Sequence, residues 1–99
     1  MGPTAEPPSH AIDIGGNHMI EFVTYQGDIA GINDYHRRKS DGAWCRGWVM
    51  FNGSSLGKQF NNQGGWDVTQ REPLTISPSM VCRSCGDHGF IQNGKWVPA

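Results

Sequence analysis

The chain has 99 residues and a formal net charge of −1, which fits one small domain without a global positive field to attract nucleic acid. A hydrophobic content of 36% with 14 glycines makes a thin core, of the kind that calls for a cross-link. Three cysteines cannot all pair within one chain, which disfavours a disulfide framework and fits a reducing compartment and metal ligation; one disulfide beside a buried thiol is the plain alternative. Residues 1–10, MGPTAEPPSH, read as a mobile arm lacking the apolar stretch of a secretory signal. No run approaches the roughly 18 apolar residues of a membrane span.

Residues 11–99 read as a single β domain. MIEFVTYQ (19–26) alternates, with Ile20, Phe22 and Thr24 on one face and Met19, Glu21, Val23 and Tyr25 on the other. Gly27-Asp28 marks a turn, after which IAGIN (29–33) pairs back. The one basic cluster, His36-Arg37-Arg38-Lys39, reads on its own as a solvated loop. GWVMFNG (47–53) is a strand ending at Asn52-Gly53. The polar NGSSLGKQFNNQGG (52–65) reads as a long loop with room for one short helical turn. WDVTQ (66–70) alternates, and PLTISPSMVC (73–82) is broken by Pro78, which predicts an edge position or a bulge. FIQNGKWV (90–97) is a hairpin about Asn93-Gly94, a pair suited to positive φ at both turn positions. No stretch carries a capped 3.6-residue period. The predicted fold class is therefore all-β, low in helix: a small antiparallel sheet or sandwich with a zinc knuckle and a C-terminal hairpin.

The chemistry concentrates in VCRSCGDHGF (81–90). Two thiolates at Cys82-x-x-Cys85 converge on one ion when the chain between them turns tightly, and Gly86 permits the positive φ such a turn uses. The same spacing serves redox chemistry in thioredoxin-like folds, but the βαβ context that reading needs is absent. A structural zinc takes four ligands. Cys45, just ahead of the strand GWVMF with loop-like Arg46 and Gly47 beside it, is the third candidate; its plain alternative is a small buried hydrophobe. His36 and His88 compete for the fourth place. His88 is close, but three ligands at successive three-residue intervals crowd a tetrahedron, whereas His36 can approach from a separate segment. His88 would then stand beside the site or serve an open coordination position. His10 and His18 read as solvated or capping groups.

PLTISPSMVCRSCGDHGFIQNGKWVPA (73–99) resembles a family of small uncharacterised proteins of actinobacterial tailed phages, related to a broader bacterial domain of unknown function. The resemblance is carried by Pro73-Leu74-Thr75-Ile76-Ser77-Pro78-Ser79, Cys82, Cys85, His88-Gly89-Phe90-Ile91, Gly94 and Trp96. DYHRRKSDGAWCRGWVMF (34–51) resembles the family's upstream histidine, cysteine and glycine ahead of a strand. The resemblance implies a phage origin, a zinc site, and a setting in the host cytoplasm or the virion; it brings no activity.

Three functions are open. The first is a zinc-stabilised binding module docking on a phage or host protein, with some of Trp44, Trp48, Trp66 and Trp96 at the interface. The second is a small zinc hydrolase, which needs three ligands, an open position and a nearby acid or base such as Asp87 or His88; no H-E-x-x-H motif is present. The third is a nucleic-acid module using Arg37, Arg38, Lys39, Arg83 and Lys95, disfavoured by the near-neutral charge.

Overall fold

A computed structural model describes residues 6–99; the first half of the expected N-terminal arm, residues 1–5, lies outside the described residues. Nine strands and one short helix follow, and the fold is all-β as the sequence predicts. A meander of four antiparallel strands comes first: β1 (Ile12–Gly15), β2 (His18–Tyr25), β3 (Asp28–Arg37) and β4 (Trp44–Met50). The expected long loop carries α1 (Ser55–Gln59), capped by Ser54, whose hydroxyl accepts from the Gly57 amide at 3.0 Å. β5 (Asp67–Gln70) pairs with β6 (Thr75–Ser77), and β7 (Met80–Val81), β8 (His88–Gln92) and β9 (Lys95–Pro98) form a third sheet. The chain changes sheets at Pro78, between β6 and β7. No helix among the described residues is long and apolar enough to cross a membrane.

Turn chemistry sets the hairpins. Gln26 and Gly27 join β2 to β3 with φ of 50° and 84°, so the turn sits one residue earlier than the expected Gly27-Asp28, and Asp28 instead pairs with Tyr25. Asn93 and Gly94 join β8 to β9 with φ of 50° and 74°. β1 was not expected: four residues ahead of a Gly16-Asn17 turn give too short a pattern to read.

The inner face of the meander is best seen as cross-strand rows. Phe22, Ile32 and Val49 form one; Ile20, Asp34 and Gly47 the next; His18, His36 and Cys45 the last. Successive residues on this face of β3 thus pass from apolar to ionisable. The apolar end is the core. Ile14, Ile20, Ile32, Val49 and Phe51 of the first layer pack against Leu74, Ile76, Met80, Ile91 and Trp96 of the smaller sheets. Trp96 is the wedge between the layers. A side chain at Gly16 or Gly89 would come within 2.5 Å of its ring, so both backbones close on the indole only because they lack one. Phe22, expected on the core face, lies at its margin and is 39% exposed.

Candidate metal centre

The last row of the meander supplies half the site. His36 and Cys45 are direct cross-strand partners on β3 and β4, so their side chains leave the same face side by side. Cys45 is the second residue of β4 and is buried, rather than lying in a loop ahead of the strand. The other half is the loop between β7 and β8. The Cys82 amide donates to the Asp87 carbonyl at 2.8 Å, and the Gly86 amide donates to the Cys82 carbonyl at 2.7 Å. Gly86 takes φ of 78°, the left-handed conformation its position invites. The tightened loop aims the Ser84 and Cys85 amides at the Cys82 sulfur.

Together the two halves bring one donor atom each from His36, Cys45, Cys82 and Cys85 within 4.8 Å of one another. His36 Nε2 is 3.4 Å from Cys85 Sγ. A tetrahedral ion with metal–sulfur bonds of about 2.3 Å and metal–nitrogen bonds near 2.0 Å sets its donors roughly 3.5–3.8 Å apart, so the set fits with small adjustments. All three thiols are free rather than bridged. The cluster can therefore hold a metal ion.

The electrostatics of the four donors point the same way. Burial pushes the Cys45 thiol up to about 11, and the neighbouring Cys82 sulfur adds to the rise. Burial also works against the Cys82 thiolate, but the Cys85 and Ser84 amides and the Cys85 and His36 side chains outweigh it, bringing Cys82 down to about 7. The Asp34 carboxylate is the main cause that raises His36 to about 9, against burial. Crowded sulfurs resist ionising together; a divalent cation among them removes that resistance and deprotonates the thiols outright.

A pH prediction follows with its sign. Near neutrality His36 and Cys45 both carry the proton that a metal must displace. Metal affinity should fall as pH falls, and binding should release at least two protons per ion, one from each of these groups. Calorimetric titration in buffers of differing ionisation heat reads that number directly; release of clearly fewer than two protons would contradict the assigned donors.

Behind the donors lies a buried support. His18, expected to be solvated or capping, is only 1% exposed. Its Nδ1 is 2.8 and 3.1 Å from the two Asp34 carboxylate oxygens, and its Nε2 is 2.7 Å from Asp87 Oδ2. Its ring stacks between Trp96, with centroids 3.6 Å apart, and His36, at 4.7 Å. Asp34 is held below the ordinary carboxyl range: burial opposes ionisation, but the His18 bond and the His36 ring more than offset it. The remaining His36 nitrogen, Nδ1, is buried without a hydrogen bond and lies 3.8 Å from Asp34 Oδ1. At that distance the contact is charge attraction; a closure of about 1 Å would make the bond by which carboxylates orient metal-binding histidines. His18, Asp34 and His36 also lie within 4.8 Å of one another. We read this trio as the outer support of the four-donor cluster, because His18 already spends both ring nitrogens on carboxylates.

His88 stands apart from the cluster. At the start of β8 it pairs with Val81 of β7, its Nε2 lies 2.8 Å from Ser79 Oγ, and its exposed ring stacks loosely on Phe90. The loop's inward turn ends at Asp87, so the next residue rejoins the sheet on its outer face. His10 is exposed and lies 3.0 Å from Glu21 Oε2. No protein-family model matches the chain, and neither a curated protein nor a solved structure is found to match it.

Proposed function

We propose that the protein is a binding module whose β layers are fastened by a structural zinc ion held by His36, Cys45, Cys82 and Cys85. The observation that carries this is the gathering of three soft sulfur donors and one imidazole from three separate segments, enough to fill a tetrahedron without water. Three thiolates and an imidazole suit zinc, and a filled sphere leaves no position for substrate. The hydrolase alternative would need one donor to leave. The resemblance of residues 73–99 adds a phage setting, with host cytoplasm or virion as the place of action.

Cobalt substitution tests the reading. The expected spectrum is that of a tetrahedral ion with three sulfur donors, unmoved by azide or free imidazole. His36→Ala should alter it, and His88→Ala should leave it unchanged. A spectrum that shifts on adding azide would reveal an open position and favour the hydrolase.

A further inference from the structure

Arg37, Arg38 and Lys39 lie at the end of β3 and the start of the turn to β4, while Arg83 sits between the two loop cysteines. Far apart in sequence, they line one open groove of about 760 Å³, with Cys85 in its wall. Half of the chain's eight Lys and Arg thus face a single concavity. Asp87 is the one acidic residue among its lining, and that carboxylate is turned inward to His18. The near-neutral total is therefore a poor guide to this face: charges beyond about 8 Å are largely screened at physiological salt.

The cations differ in readiness. Arg37 is fixed, its guanidinium 4.4 Å from the Trp44 ring centroid and donating to the Gly42 carbonyl at 3.0 Å. Arg38 is clamped by Asp41 through contacts of 2.9 and 2.6 Å, which offsets one charge. Lys39 and Arg83 are exposed and form no ion pair among the described residues. The exposed His88 ring lines the same groove, backed by Phe90. Fixed guanidiniums suit phosphate oxygens, and an aromatic face among cations suits an unpaired base. A peptide of acidic residues would use the charges and leave the ring idle. A duplex is too wide to enter a groove of about 760 Å³, whereas a single strand can lie along it.

From this we infer that the groove between the 38–43 turn and the cysteine loop binds single-stranded nucleic acid, with Arg37, Lys39 and Arg83 on its phosphates and His88 beneath a base. The inference rests on the binding-module reading, since the metal holds Arg83 in place. The test is fluorescence anisotropy of labelled oligodeoxythymidine with the zinc-loaded full chain across a salt series. Binding should weaken with salt with a log–log slope of about −2, as three phosphate contacts at roughly 0.7 each require, the Arg38 charge being offset by Asp41. Lys39→Glu, at an exposed turn position, should weaken binding severalfold, and Lys39→Glu with Arg83→Glu at least about tenfold, both with zinc content unchanged. His88→Ala should weaken the oligonucleotide but leave inorganic tripolyphosphate competition as it was. Absence of binding at about 50 mM salt by protein that holds its zinc and melts cooperatively would overturn the inference and leave the module reading standing. Equal or tighter binding of duplex, or of polyglutamate, would overturn it too. A sample that elemental analysis finds never to hold metal overturns the module reading, and the inference with it.

Discussion

Stripping the metal with a strong chelator is expected to abolish the cooperative thermal transition, not merely to shift it. The magnitudes decide this. Structural zinc in small peptides contributes roughly 10–16 kcal/mol of apparent binding energy at neutral pH. The net stability of a whole domain is only about 5–15 kcal/mol. Here the donors come from β3, β4 and the loop before β8, so an ion held by them would fasten one layer to the other at the polar end of the sandwich, beyond the stacked Trp96 and His18 rings. Without it, Cys45, Cys82 and Cys85 remain crowded, and His36 holds a charge in a buried place. Circular dichroism melts with and without chelator, with elemental analysis of the same samples, measure the effect. An unchanged melt with no metal in the protein would end the account.

Trp96→Ala should cost the most of any single apolar substitution, about 3–5 kcal/mol by the usual range for a buried tryptophan. For a domain of this size that is a fall in Tm of roughly 15–30 °C. Two backbones, at Gly16 and Gly89, are drawn against this indole, and neither can collapse freely into the space it leaves. The damage should also reach the metal. Trp96 covers one face of His18, His18 holds Asp34, and Asp34 faces His36. Loosening such a support typically lowers metal affinity by about 10–100-fold. Chemical denaturation, with a metal competition assay on the same variant, separates the two effects. Trp48→Ala is the contrast: that side chain is 42% exposed and should cost under ~1 kcal/mol with metal affinity intact. Equal losses from both variants would refute the role given to Trp96.

Alternation and turn residues made most of the fold legible. β2, β4 and the β8–β9 hairpin follow from strand formers set against turn signals at Gly27-Asp28, one residue late, and at Asn52-Gly53 and Asn93-Gly94. The Cys82 and Cys85 pair was legible because its ligand spacing is local. The choice between His36 and His88 was not, because it depends on which residues face each other across strands. His18 shows why. Counted outward from the Gln26-Gly27 turn with regular pairing, His18 would stand opposite Tyr35. A bulge intervenes: Thr24 pairs with Ile29 but Val23 with Gly31, leaving Ala30 as an extra residue. That insertion moves His36 opposite His18 and puts both rings on the inner face. Nothing in the local composition announces it.

The meander and the metal also differ in when they can form. Each hairpin of the first sheet closes over a turn of a few residues, whereas an ion held by the four donors would have to wait for the segment around residue 82 to arrive at the segment around residue 45. Nearby contacts form before distant ones because short loops close at lower entropic cost. The ion's grip should therefore be largely absent from the folding transition state. Its contribution would then appear in the lifetime of the folded molecule, holding back escape from the native basin while hardly hastening arrival there.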